Sequence, residues 1–169
     1  MKKVFIGIFA IMVSLSAWAQ SNELGIIAGG MNGVSYKKYM SETFAIQTDL
    51  AVGFQRTIVG DAYSDISGDL FDFVLNPNFL YNKTIDGNLY GFVGGGASVG
   101  LAYFLQAPTP IFGKFGVNTM MGLGYKFTNI PLTLALDFRP GYAMLLNIEW
   151  EALFHAFDWH LGLSVRYCY

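Results

Sequence analysis

Cysteine is nearly missing from this chain of 169 residues: Cys168 is the only one, so no internal disulfide can staple the fold. Charge is scarce as well. Asp, Glu, Lys and Arg make up 13% of the residues, about half the usual share of a soluble domain, which excludes a surface well solvated on every side. The 10 Lys and Arg are outnumbered by 12 Asp and Glu, a balance that argues against nucleic acid as a partner. Long apolar runs are absent beyond the first twenty residues. The nearest candidate, Leu89 to Ala107, is interrupted by Gly91, Gly94, Gly95, Gly96 and Gly100, so nothing there reads as a spanning helix of about 20 residues.

Apolar residues are nevertheless abundant, at 53% with 17% aromatic, and the mean hydropathy is positive. A chain too apolar for water and without a spanning helix is reconciled by a transmembrane β-barrel, which spreads its apolar residues over alternate positions. The chain opens with Lys2 and Lys3, an uncharged run from Val4 to Leu15, and Ala17-Trp18-Ala19. That order reads as a secretory signal peptide over residues 1–19 rather than an anchor, since the run is too short to cross a bilayer. Residues 20–169 are then the exported barrel, with eight basic against twelve acidic residues once Lys2 and Lys3 are gone.

The last stretch, Phe157 to Tyr169, shows the pattern most cleanly. Phe157, Trp159, Leu161, Leu163, Val165, Tyr167 and Tyr169 alternate with Asp158, His160, Gly162, Ser164, Arg166 and Cys168. Successive side chains of a strand point to opposite faces, so this is a strand with one apolar and one small or polar face. Seven further segments follow the same rule: 21–30, 33–40, 43–56, 70–83, 88–104, 112–127 and 132–142. The first two form a hairpin around Met31 and Asn32 and carry the weakest alternation. Pro77, in mid-strand, predicts a bulge or a locally broken ladder. Short turns are expected at Ser41-Glu42, Thr84 to Gly87 and Thr128 to Pro131, and longer loops at 57–69, 105–111 and 143–156. The even count and the alternation of short and long connections predict an all-β, eight-stranded antiparallel up-and-down transmembrane barrel, short turns toward the periplasm and long loops outward.

Bulky residues on one face and Gly, Ala, Ser and Asn on the other decide which way the faces point. An eight-stranded interior is only about wide enough for side chains, so the bulky face must look out. Phe79, Tyr81, Tyr125, Phe127, Trp159, Tyr167 and Tyr169 then form aromatic girdles at the membrane interfaces. The inner face collects a charge network of Lys37, Asp49, Asp72, Lys114, Lys126, Asp137, Arg139, Asp158, His160 and Arg166. Buried charges are costly unless paired, and a ladder is expected from Asp137 and Arg139 to Asp158 and Arg166 on the neighbouring strand. A salt-bridged structural plug is favoured over a gated ion path.

The leader, the eight alternating segments and the ending LSVRYCY resemble the small bacterial outer-membrane β-barrel proteins of the OmpA, OmpX and OmpW type, a porin-like barrel family. The stretches GVSYKKY and LALDFRPGY are also similar to segments of exported porin-like barrels. The resemblance implies a cell outer membrane address. It also implies contact with outer-membrane lipids and lipopolysaccharide, and recognition of the terminal aromatic by the barrel-assembly machinery. A monomer without cofactor or metal is expected.

Other chemistry is weakly supported. Asp158, His160 and Ser164 share a face, but Ser164 and His160 are four residues apart, about 13 Å at strand rise, too far for a nucleophile and its base. The His-x-Ser-Asn pattern of outer-membrane lipid A deacylases is absent. Asp61, Asp65 and Asp69 make no calcium-loop motif, and His155 with Glu149 and Glu151 matches no standard metal spacing. The expected function is non-enzymatic, in envelope structure or surface interaction. A narrow channel for a small or hydrophobic solute is the alternative, and a membrane-embedded lipid-modifying enzyme a second.

Overall fold

Period-two alternation resolves into eight strands. They are β1 (Asn22–Gly29), β2 (Met31–Tyr39), β3 (Phe44–Gly60), β4 (Asp65–Asp86), β5 (Leu89–Phe104), β6 (Ile111–Lys126), β7 (Leu132–Asn147) and β8 (Leu153–Cys168). The computed structural model describes residues 22–60, 65–104, 111–147 and 153–169, with side chains at 22–54, 69–103, 111–146 and 157–169. The leader expected at 1–19 lies outside the described residues. Each strand pairs antiparallel with the next, and β1 pairs with β8 from Glu23↔Cys168 to Gly29↔Gly162, closing the sheet on itself. Closure satisfies the backbone that an open sheet would leave unpaired at its edges.

The two faces separate as the alternation dictates. From Leu70 to Asn82 every even residue is buried and every odd one exposed. The exposed face carries Leu50, Phe73, Leu75, Val99, Val117, Leu123, Leu136, Leu161 and Leu163, while the buried face holds most of the described charges. This inverts a water-soluble protein. Keeping one such Leu or Phe in water rather than in an apolar phase costs about 1.5–3 kcal/mol, so the exterior is built for lipid. Phe44 stacks on Phe79 at 5.4 Å and lies 5.5 Å from Tyr81. Tyr125 meets Phe127 edge-on at 5.1 Å. These rings, with Tyr167 and Tyr169, sit at the end of the barrel that holds Asn22 and the three short turns. Trp159, 6.3 Å from Phe138, lies toward the opposite end.

Three details depart from the sequence reading. The first hairpin turns at Gly30 rather than around Met31 and Asn32: Gly29 takes φ 132°, a value that favours glycine, and Met31 already begins β2 with its side chain buried. Most of the stretch expected as a loop at 57–69 is strand, since β3 and β4 stay paired from Arg56↔Asp69 to Gly60↔Asp65. Likewise β7 runs on to Asn147 and β8 starts at Leu153, inside the expected loop 143–156. The β-branched Thr57, Ile58, Val59 and Ile66 explain the first extension, because they suit a strand better than a loop. Because β1 and β2 are short, β3 and β8 rise past their tip and meet at Gly60↔His155.

Pro77 breaks the ladder without a bulge. Opposite β5, pairing stops after Leu75↔Val99 and resumes at Asn78↔Gly96 in the same register. Pro140 does the same opposite β6, between Asn118↔Gly141 and Met121↔Phe138. A residue without N–H cannot complete the ladder.

Candidate functional site

The candidate site is the interior of the barrel, where ten charged side chains converge. At the end holding Asn22 and Tyr169, Glu23 is fully buried and accepts from four strands. Arg166 Nε donates at 3.0 Å, Tyr39 Oη at 2.9 Å and Thr133 Oγ1 at 3.2 Å, and Lys126 Nζ lies 3.5 Å away. Arg166 also reaches Ser35 Oγ and Gln47 Oε1 at 3.4 and 3.3 Å. Lys37 donates to Asn82 Oδ1 at 2.7 Å and packs its ammonium against the rings of Tyr39, Tyr90 and Phe92, 4.9 to 5.2 Å from their centroids. Cation–π contacts of this kind offset part of the cost of taking an ammonium out of water.

Above this layer, Gln47 Nε2 donates to both oxygens of Asp49. Arg139 bridges Asp49 and Asp137, the latter at 2.5 Å. Above that again, Lys114 Nζ sits between Asp72 Oδ2 at 2.5 Å and Asp158 Oδ2 at 2.6 Å. His160 Nε2 faces the same Asp158 oxygen at 3.8 Å. Uncharged polar groups fill the gap: Asn118 Nδ2 donates to Ser98 Oγ and Ser98 Oγ to Asn76 Oδ1.

The expected ladder between β7 and β8 is not what forms. Arg139 lies opposite His160 and Asp137 opposite Gly162, so Asp158 is free to pair with Lys114 on β6, and Arg166 with Glu23 on β1. The lumen is about one side chain wide. Lys114 therefore meets Asp72 and Asp158, and Arg139 meets Asp49, across it, while Arg166 and Glu23 pair over the adjacent strands β8 and β1.

Glu23 is an interior charge that the sequence pattern does not single out. Its signal was its place between Asn22 and Leu24 in a weakly alternating strand, where Ile27 is also buried. With it, the described interior holds Glu23, Asp49, Asp72, Asp137 and Asp158 against Lys37, Lys114, Lys126, Arg139 and Arg166. The charges cancel.

The interior is also less uniformly small than its sequence suggested. Leu80, Tyr90, Phe92, Met120 and Ala135 form one buried apolar cluster, and Met31, Ala51 and Val74 another. Glycines on the facing strands make room for the rings. A Cβ at Gly122 would lie 2.6 Å from Phe92 Cζ, and one at Gly124 would overlap the phenol end of Tyr90. Among the described residues, a cavity of about 10 Å³ at the centre is lined by Met31, Val74, Asn76, Ser98, Lys114, Asn118, Arg139, Asp158 and His160. That is room for about one water molecule.

Ser164 Oγ donates to Ala135 O at 3.4 Å and His160 faces Asp158, so β8 brings no nucleophile to the imidazole. Met120 fills the interior, whereas Met121 and Met144 face outward. Asp61 and Glu149, Glu151 and the side chains of Asp65 and His155 lie outside the described residues. Among the described residues, no three His, Cys, Asp or Glu side chains gather around a metal-sized point.

No protein-family model matches the chain, and no curated protein matches its sequence. Solved structures are similar to it in fold. Neisserial surface protein A, NspA, is 14% identical over 88% of this chain and 93% of its own, with a TM-score of 0.52. The outer membrane protein OprG from Pseudomonas aeruginosa is 8% identical over 88% of this chain and 91% of its own, with a TM-score of 0.53. At these identities the likeness is one of fold.

Proposed function

We propose that this chain is a non-enzymatic outer-membrane barrel with a closed interior, serving envelope structure or surface interaction. The observation that carries the reading is the neutral, cross-linked interior: five acidic and five basic side chains tied across the lumen, with a residual cavity of about 10 Å³. Among the described residues the charges are mostly paired and in balance and the central cavity is about the size of one water molecule, which favours a closed interior over an ion path. The apolar exterior supports the membrane address, as does the likeness in fold to the Neisserial surface protein NspA and the outer membrane protein OprG. The barrel would act as a monomer among outer-membrane lipids and lipopolysaccharide, after export under residues 1–19 and insertion by the barrel-assembly machinery.

The test is to refold residues 20–169 in detergent, establish the barrel by circular dichroism and by altered gel mobility without boiling, and measure conductance in planar bilayers. A folded barrel without unitary conductance is expected. Regular conductance steps from the same sample would instead establish the narrow channel. Altered lipid A in cells expressing the protein would establish the enzyme.

A further inference from the structure

Three sets of polar contacts run into the middle of the lumen and end at the central cavity. From β4, β5 and β6, Asn118 Nδ2 donates to Ser98 Oγ at 3.0 Å, Ser98 Oγ to Asn76 Oδ1 at 2.6 Å, and Asn76 Nδ2 to Met31 Sδ at 3.7 Å. That chain leaves Asn118 Oδ1 buried and without a protein partner. From β7, Arg139 uses Nε on Asp137 and Nη1 on Asp49. Its Nη2 stays unpartnered on a side chain only 2% exposed. From β6 and β8, Lys114 and His160 both face Asp158 Oδ2. Asn118 pairs with Gly141 across β6 and β7, and Arg139 lies two residues from Gly141. The open acceptor and the open donor therefore belong to side chains that leave neighbouring strands on the same inner face, and both side chains line the cavity of about 10 Å³.

From this convergence we infer that the cavity binds a single water molecule, which accepts from Arg139 Nη2 and donates to Asn118 Oδ1. A buried donor and a buried acceptor left open in one wall are satisfied together by water, because its one oxygen serves both roles. A cation would gain Asn118 Oδ1 but meet the charges of Arg139 and Lys114. An anion would gain Arg139 Nη2 but meet the Asp158 carboxylate. The volume is that of about one probe sphere, and seven of the nine lining residues are polar, with Met31 and Val74 the exceptions. Apolar cavities stay dry, whereas polar ones of this size hold water. The bound molecule joins the chain through Asn76, Ser98 and Asn118 to the ion cluster around Arg139. The inference rests on the closed interior proposed above, since in a conducting lumen the same groups would meet exchanging solvent rather than one resident molecule.

The test uses residues 20–169 refolded in detergent, each variant checked by unheated gel mobility, and crystallised at a resolution that shows ordered water. One density peak within about 3.2 Å of both Arg139 Nη2 and Asn118 Oδ1 is expected. In solution the same molecule should give nuclear Overhauser peaks from water to the methyl groups of Met31 and Val74. Those peaks should persist in Ser98→Ala, which has no hydroxyl to relay them, and be lost in Asn118→Leu. Direct contact between Arg139 Nη2 and Asn118 Oδ1, a cavity without density, or water peaks that vanish in Ser98→Ala would overturn the assignment. So would anomalous signal in the cavity after a rubidium or bromide soak, which would show an ion site instead. Bilayer conductance separates this inference from the reading it rests on. A barrel that neither conducts nor shows the water loses the site alone, whereas conductance steps with several exchanging waters in the lumen would remove the closed interior as well.

Discussion

Glu23 accepts from Arg166 at 3.0 Å and thereby ties the first strand to the last inside the barrel, across the seam where the sheet closes. Both side chains are fully buried. Removing one partner of such a pair leaves the other charge uncompensated, which typically costs about 3–5 kcal/mol. Glu23→Gln keeps the shape and loses the charge. It is expected to lower the stability of the folded barrel by about 3 kcal/mol in urea titrations from lipid vesicles, with fluorescence of the native tryptophans as readout. A loss under 1 kcal/mol would show that the seam does not depend on the pair.

Lys114 is shared by Asp72 and Asp158 on strands that are not its neighbours in the sheet. A double-mutant cycle with Lys114→Met and Asp158→Asn should return a coupling energy of about 1–3 kcal/mol, since Lys114→Met strands two buried carboxylates whereas Asp158→Asn leaves Lys114 paired with Asp72. Additive effects would mean that the two side chains do not interact in the membrane.

Phe92 occupies space that Gly122 leaves open. Gly122→Ala should cost about 1–3 kcal/mol, because its Cβ would meet Phe92 Cζ at 2.6 Å as well as the Leu136 carbonyl. Phe92→Leu in the same chain should restore part of the loss but not all, since the backbone contact persists. Full restoration would place the whole conflict in the ring.

Pro77 leaves the β4–β5 ladder open between Leu75↔Val99 and Asn78↔Gly96. Pro77→Ala supplies the missing N–H, and amide exchange at residues 76, 78, 97 and 98 should slow severalfold. Net stability should change little, because a hydrogen bond of about 1 kcal/mol is set against the greater freedom of the unfolded chain, about 0.4–1 kcal/mol. Unchanged exchange would show that the gap is held open by more than the proline.

Leu136 faces outward from the fifth position of β7, between Leu134 and Phe138 on the same exposed apolar face. Leu136→Arg should cost about 2–4 kcal/mol, as a cation does at the midplane of a membrane barrel, and slow folding into vesicles. The face assignment predicts a large effect here and none of that size for a charge at the exposed turn residue Asn129.

Much of the fold was legible because strand periodicity is local. Phe157 to Arg166 alternates without error in sequence and structure alike, Leu70 to Asn82 alternates in burial although Leu70, Val74 and Leu80 place apolar residues inside, and the bulk of Phe73, Leu75, Leu161 and Leu163 shows which face cannot fit inside. Strand ends were less legible. Nothing in Thr57 to Val59 or in Ala143 to Asn147 separates a loop from a strand until a partner is beside it. Glu23 went unnoticed for a related reason: β1 is short and Ile27 interrupts its alternation.

The sequence by itself determined eight strands, two faces and the identity of nearly every interior charge, because those depend on which way each side chain points from its own backbone. Only the tertiary structure decided who pairs with whom. Closure and register bring Lys114 between Asp72 and Asp158, Arg139 between Asp49 and Asp137, and Lys126 over Tyr39. Apart from Asp137 and Arg139, which lie two apart on one face of β7, these groupings do not follow from spacing along the chain, because closure sets which side chains face one another across the lumen.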